Sequence, residues 1–109
     1  MRLLTRSEEF VLLAVWRLQD DAYSVRISEE LEAITGEAWS LGSVYMPLNR
    51  LRKQGLVRTF LSDATPERGG RPKRMYRLTE NGVHALVELK DVQKRLWAGI
   101  RELKPGVTP

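Results

Sequence analysis

The apolar pattern of this 109-residue chain changes period at Gly55. Before that glycine, apolar residues return every three or four positions in three successive stretches. After it they alternate through two short runs, "LVRTFLS" (56–62) and "RMYRLT" (74–79), and a helical period then resumes. A period near 3.6 specifies amphipathic helices, and a period of two specifies strands with one buried face. The segment between the runs, "DATPERGGRP", holds Pro, Gly-Gly and Arg-Pro, the turn chemistry of a long hairpin loop. The order is therefore three helices, an antiparallel hairpin and a long final helix: a mainly α chain with a small β-hairpin.

The helix limits follow from local chemistry. Thr5 with Glu8, or Ser7 alone, caps a first helix over 7–20. Glu8 and Glu9 suit its positive end, and Phe10, Leu13, Ala14 and Leu18 share a face. Ser24 is expected to cap a second helix that runs to Thr35, with Val25, Ile27, Leu31 and Ile34 apolar and Gly36 as its stop. The third stretch, "SLGSVYMPLNRLRKQG" (40–55), repeats Leu41, Val44, Leu48 and Leu51 at helical spacing, with Pro47 near its middle. Either Ser43 caps that helix and Pro47 falls in its first turn, or the helix begins at Ser40 and the proline bends it. Thr79 and Gly82 open a last helix expected over 80–103, followed by Lys104, Pro105 and Gly106.

Three compact helices followed by a two-stranded ribbon form a winged helix-turn-helix, whose third helix enters the DNA major groove and whose wing meets the backbone or minor groove. The expected organisation is a winged helix-turn-helix domain over 1–79, a dimerisation helix over 80–104 and a loose tail over 105–109. Charge agrees with that reading. Residues 50–77 hold nine bases against two acids, an excess of seven in a chain whose net charge is +4, so the remainder is net negative. Such asymmetry directs one region to a polyanion.

Placing the third helix at about 100° per residue sets Leu41, Val44, Leu48, Leu51 and Gly55 on a buried stripe. Met46, Asn49, Arg50 and Lys53 lie opposite, with Ser43 and Tyr45 on the flanks. Asn pairs with adenine and Arg with guanine in bidentate fashion, Lys and Ser hold phosphates, and Met46 suits a thymine methyl. In the wing, Arg68, Arg71 and Lys73 surround two glycines that permit close backbone approach.

The stretches "SLGSVYMPLNRLRKQGLV", "ERGGRPKRMYRLTENGVHAL" and "DDAYSVRISEELEAITG" together resemble the PadR-like winged-helix transcriptional regulators over roughly residues 5–90. Gly42, Tyr45, Leu48, Leu51, Gly55-Leu56-Val57, Gly70-Arg71, Tyr76, Leu78-Thr79 and Gly82 carry the resemblance. It implies a dimeric DNA-binding repressor. It also implies that the third helix and wing, here Ser43, Tyr45, Met46, Asn49, Arg50, Arg68, Arg71 and Lys73, contact DNA. In many members proline directly follows the tyrosine, whereas Met46 stands between them here.

Leu86, Leu89, Gln93, Leu96, Ile100 and Leu103 form a near-heptad seam on the last helix, longer than a small core can cover. A homodimer through Leu89, Leu96, Trp97, Ile100 and Leu103 would place two reading heads on a palindromic operator of double-stranded DNA. Trp97, with Trp16 and Trp39, suggests a small aromatic or apolar effector.

Other classes lack residues. There is no cysteine, and His84 is the only histidine, so thiol catalysis and recurring metal-ligand spacings are absent. Glu29, Glu30 and Glu32 read as a solvated face, no G-x-S-x-G occurs, and no Gly-Lys-Ser/Thr follows the Gly-Gly pair. No enzyme activity, cofactor or metal is expected. No apolar run spans a membrane, and an acidic pair follows close on the N-terminus, so a cytoplasmic location is expected. The alternative reading is a winged-helix module whose basic face meets an acidic protein.

Overall fold

The computed structural model describes residues 2–63, 71–106 and 108. Helix α1 (Arg6–Leu18) opens on a capping box: the Thr5 hydroxyl accepts from the Glu8 amide at 3.1 Å, and the Thr5 amide donates to Glu8 Oε1 at 2.8 Å. A 3-10 turn (Gln19–Asp21) leads to α2 (Ser24–Thr35). Ser24 does not cap α2 as expected. Tyr23 is the cap residue and makes no side-chain bond there. The preceding Ala22 carbonyl accepts the Tyr76 amide at 2.8 Å, which holds the chain extended up to Tyr23 and starts the helix immediately afterwards.

Gly36 closes α2 at φ 73°, a conformation that favours glycine. Three α2 side chains then pin the link to the next helix. Ser28 donates to the Trp39 carbonyl, Glu32 Oε1 accepts the Trp39 amide at 2.9 Å, and Thr35 Oγ1 accepts the Trp39 indole N–H at 3.2 Å. Helix α3 (Leu41–Lys53) takes Ser40 as its cap, with the Ser43 amide donating to Ser40 Oγ at 3.1 Å. Of the two sequence readings, the start at Ser40 is therefore the one adopted. Pro47 lies inside α3 and buried, so the Ser43 carbonyl receives no amide from position 47. A Schellman closure ends α3: Leu56 N–H bonds the Leu51 carbonyl at 2.9 Å and Gly55 N–H the Arg52 carbonyl at 3.0 Å.

Strands β1 (Val57–Leu61) and β2 (Arg74–Leu78) pair antiparallel, with Val57 opposite Leu78 and Leu61 opposite Arg74. Two further bonds between Ser62 and Lys73 extend the pairing toward the loop. Thr79 caps α4 (Glu80–Trp97) by accepting the Gly82 amide at 3.1 Å. A Cβ on Gly82 would stand 2.1 Å from the Leu56 carbonyl oxygen, so α4 crosses the start of the hairpin only where a glycine lets it. Val11, Leu12, Val15, Ile27, Leu31, Val44, Leu48, Leu51, Val57 and Tyr76 form the shared core of α1–α3 and the hairpin.

Several faces are rotated from the sequence expectation. Leu13, Val25, Ile34 and Leu41 are exposed, whereas Val11 and Ser28 are buried. Helix α1 is apolar nearly all round: one side enters the core, and Phe10, Leu13 and Trp16 turn toward α4. The last helix ends at Trp97, not near 103. Ala98 is extended, Gly99 has φ 76°, and the Ile100 amide bonds the Trp97 carbonyl at 3.2 Å. Glycine is a poor helix former, and among the described residues Leu96 and Trp97 at this end of α4 are more than half exposed, so little packing opposes that preference. Ile100 and Leu103 accordingly lie beyond the helix whose seam they were expected to continue.

Candidate nucleic-acid interface

Helix α3 buries Val44, Pro47, Leu48 and Leu51 and leaves the opposite side uncovered. Leu41, Tyr45 and Met46 are 54%, 49% and 55% exposed. Lys53 and Gly42 are exposed and Asn49 is half-buried. The sequence-expected reading residues of α3 thus share one face or its edges, but three of them already hold partners within the chain. The Ser43 hydroxyl donates to the Ser40 carbonyl at 2.7 Å. Asn49 Oδ1 accepts from Arg52 Nη2 at 3.1 Å. Arg50 Nε lies 3.2 Å from Glu8 Oε2.

Glu8 is the residue that sequence reasoning placed only as a helix cap. Its carboxylate is 4% exposed and also accepts from Gln54 Nε2 at 3.1 Å, so it ties the N-terminus of α1 to the C-terminal half of α3. Burial alone would raise its pKa. The Thr5 amide, Arg50, the Thr5 side chain and Gln54 outweigh that and hold the carboxyl below the ordinary glutamate value. One signal was available in the sequence: Glu8, Val11, Leu12 and Val15 follow the i, i+3, i+4, i+7 pattern, which sets a carboxylate at a core position.

The wing brings further cations to the same region of the chain. Arg71 and Arg74 are exposed and make no ion pair among the described residues. Lys73 sits with Nζ 3.9 Å from the centroid of the Tyr23 ring, a cation–π contact that holds its ammonium against the residue capping α2. Arg77 pairs with Asp20 and lies over Phe60, so its charge is spent within the fold. Arg68 and residues 64–70 fall outside the described residues.

The expected aromatic wall is not a single surface. Trp39 packs on Phe10 with ring centroids 6.2 Å apart. Trp16 instead lines an apolar groove of about 590 Å³ between α1 and α4, with Phe10, Leu13, Val83, Leu86 and Val87, and Trp97 is not part of it. A second groove, of about 390 Å³, runs along the other side of α4 and is lined by Leu3, Leu4, Leu56, Leu89, Val92 and Leu96. Among the described residues, no group of three His, Cys, Asp or Glu side chains is placed to hold a metal ion. No described helix is long and apolar enough to cross a membrane.

A three-helix core with an uncovered third helix and a two-stranded basic wing defines the winged helix-turn-helix class. Within that class, the chain matches the transcriptional regulator PadR-like family over residues 12–88 and belongs to it. Solved structures agree. RosR of H. salinarum is 25% identical, with 92% of this chain and 83% of that one covered at a TM-score of 0.71. A PadR-like transcription factor from Bacteroides fragilis is 27% identical, covering 82% and 81% at a TM-score of 0.69. A PadR family transcriptional regulator from Eggerthella lenta is 27% identical, covering 82% and 75% at 0.64. Among curated proteins, none matches. The family and fold are those of transcriptional regulators.

Proposed function

We propose that this regulator is a dimeric, sequence-specific repressor that lays α3 in the major groove of a palindromic operator and the wing, residues 63–74, on the backbone or minor groove. The observation that carries the reading is the side of α3 which its own fold leaves uncovered, where Gly42, Tyr45, Met46 and Lys53 stand on a helix that runs into the basic stretch 50–77. Asn49 reads bases; Lys53, Arg71 and Lys73, together with Arg68, hold phosphates; Ser43 and Tyr45 position the helix. Arg50 offers its terminal nitrogens while Glu8 holds its Nε. Work on chromosomal DNA implies a cytoplasmic, nucleoid-associated protein.

Dimerisation runs through α4, where Leu96 and Trp97 are 63% and 57% exposed and Leu89 lies at the edge of both grooves. Ile100 and Leu103 follow the helix and extend that apolar surface. A small aromatic or apolar effector would enter the groove beside Trp16, next to the helix that carries Glu8. Selection of bound duplexes from a random pool tests the reading. The expected product is an inverted repeat whose half-sites lie about one helical turn apart. Retention of unrelated sequences with no enrichment would refute it.

A further inference from the structure

Six glycines are described, and five have a reason inside the chain. Gly36, Gly55, Gly99 and Gly106 have positive φ, and Gly82 faces the Leu56 carbonyl. Gly42 has neither: its φ is not in the left-handed region, and a Cβ there would meet only Ser40 Oγ, at an ordinary 3.9 Å. A helix is weakened by glycine relative to alanine, so the fold itself disfavours the residue it has at this position. A missing side chain on an exposed helix face serves whatever comes close from outside.

The surroundings of Gly42 say what that is. Helical side chains lean toward the N-terminus, so Tyr45 and Met46, three and four residues on, stand over the turn that contains Gly42. Leu41 is its neighbour on the same uncovered turn. All three are about half exposed, whereas the core side of α3 is closed to solvent. In this turn the Ser43 hydroxyl already donates to the Ser40 carbonyl, and further along the helix Asn49 Oδ1 accepts from Arg52 and Arg50 Nε is held by Glu8. The leading turn is therefore an apolar gap on a helix whose far end carries Arg50, Arg52 and Lys53. A partner that is anionic at its rims and apolar at one point of its floor fits this arrangement. The DNA major groove has that character, and its apolar point is the C5 methyl group of thymine.

Resting on the DNA-binding function proposed above, we propose that the leading turn of α3 selects thymine by its methyl group. Gly42 lets the helix backbone approach the base pair, and Leu41, Tyr45 and Met46 enclose the methyl. Leu41 and Gly42 are thus specificity-determining residues, alongside the polar ones.

The experiment takes the duplex recovered by selection and replaces its thymines one at a time with deoxyuridine, which removes only the methyl. Affinity falls about fourfold at each enclosed methyl, the change that burial of one such group corresponds to. In Met46→Ala the ratio between the thymine and uracil duplexes falls toward one. Gly42→Ala retains or raises the thermal midpoint yet loses at least tenfold in affinity for the thymine duplex. If every uracil duplex is bound as tightly as the original, and all outcompete a scrambled duplex, methyl reading is overturned while DNA binding stands. Unchanged affinity in Gly42→Ala overturns the role of the gap. If no duplex outcompetes the scrambled one, the DNA-binding proposal falls and this inference with it.

Discussion

Glu8 shows how one buried charge joins two parts of the fold. Its carboxylate accepts from the Thr5 amide, Arg50 and Gln54, residues that lie 3, 42 and 46 positions away. Removing one partner of a fully buried pair costs about 3–5 kcal/mol, chiefly because the other charge is stranded. Here Arg50 is 44% exposed and turns to water, so the smaller cost of unpaired hydrogen-bonding groups applies. Glu8→Ala is expected to lower stability by about 1–3 kcal/mol in denaturant titrations at pH 7. The pH dependence has a definite sign. Because the folded pKa lies below the ordinary value of 4.5, this stabilisation is full above the unfolded pKa and disappears as pH falls through the folded one. The stability gap between wild type and Glu8→Gln should therefore narrow progressively below about pH 4.5, and parallel profiles from pH 7 to 3 would contradict the assignment. The Thr5–Glu8 cap was legible because both partners fall within one turn. The bonds to Arg50 and Gln54 were not, since no local pattern announces a partner more than forty residues away.

At the scale of elements, the cations of α3 and the wing differ in what each already touches within the chain. Arg71 and Arg74 are exposed without ion pairs among the described residues, whereas Lys73 is held against the Tyr23 ring. Each phosphate contact contributes about 0.9 to the slope of log affinity against log salt. Arg71→Ala and Arg74→Ala are expected to reduce that slope by nearly one unit each and to weaken all sequences alike, as read by fluorescence anisotropy over a salt series. Lys73→Ala should change it less. Arg52→Ala acts differently: it releases Asn49 Oδ1 and is expected to shift base preference in a repeated selection while leaving the slope almost intact. An equal loss on every sequence would place Arg52 on the backbone instead. Element order, the Thr79 cap and the hairpin were readable from period and turn chemistry, whereas the sequence left the start of α3 open between Ser40 and Ser43. The orientation of α1 and α3 was less so. Leu13 and Leu41 fit the apolar period as well as their neighbours do, and only the packing of the helices against one another decides which of them is covered.

At the scale of the molecule, the last turn of α4 is largely uncovered among the described residues. The described residues extend 57 Å along one axis and only 30 and 20 Å across, and α4 carries Val87, Leu96 and Trp97 exposed along much of its length. Sequence spacing identified this helix, but it extended the expected seam through Gly99, although α4 ends at Trp97. A dimer built on α4 would therefore need to close its helical contacts within Glu80–Trp97, with Ile100 and Leu103 lying beyond the helix. Such an assembly has a thermal midpoint that rises with protein concentration, because association stabilises only the folded chain. It also binds an inverted repeat with two linked heads, so that loss of the interface removes the gain from effective concentration. Leu96→Glu sets a charge in the middle of the exposed apolar strip and away from the core. It is expected to halve the sedimentation mass, leave the far-ultraviolet circular dichroism of the monomer intact and weaken operator binding at least a hundredfold, with single half-site binding unchanged. A Leu96→Glu protein that still sediments as a dimer would move the interface to the groove beside Trp16, where Leu13→Glu is the corresponding probe. If the proposed dimer forms through α4, the indole of Trp97 is expected to leave water, and its emission to shift to shorter wavelength as concentration rises through the dissociation constant. Trp39, already packed on Phe10 and bonded to Thr35, contributes no such change.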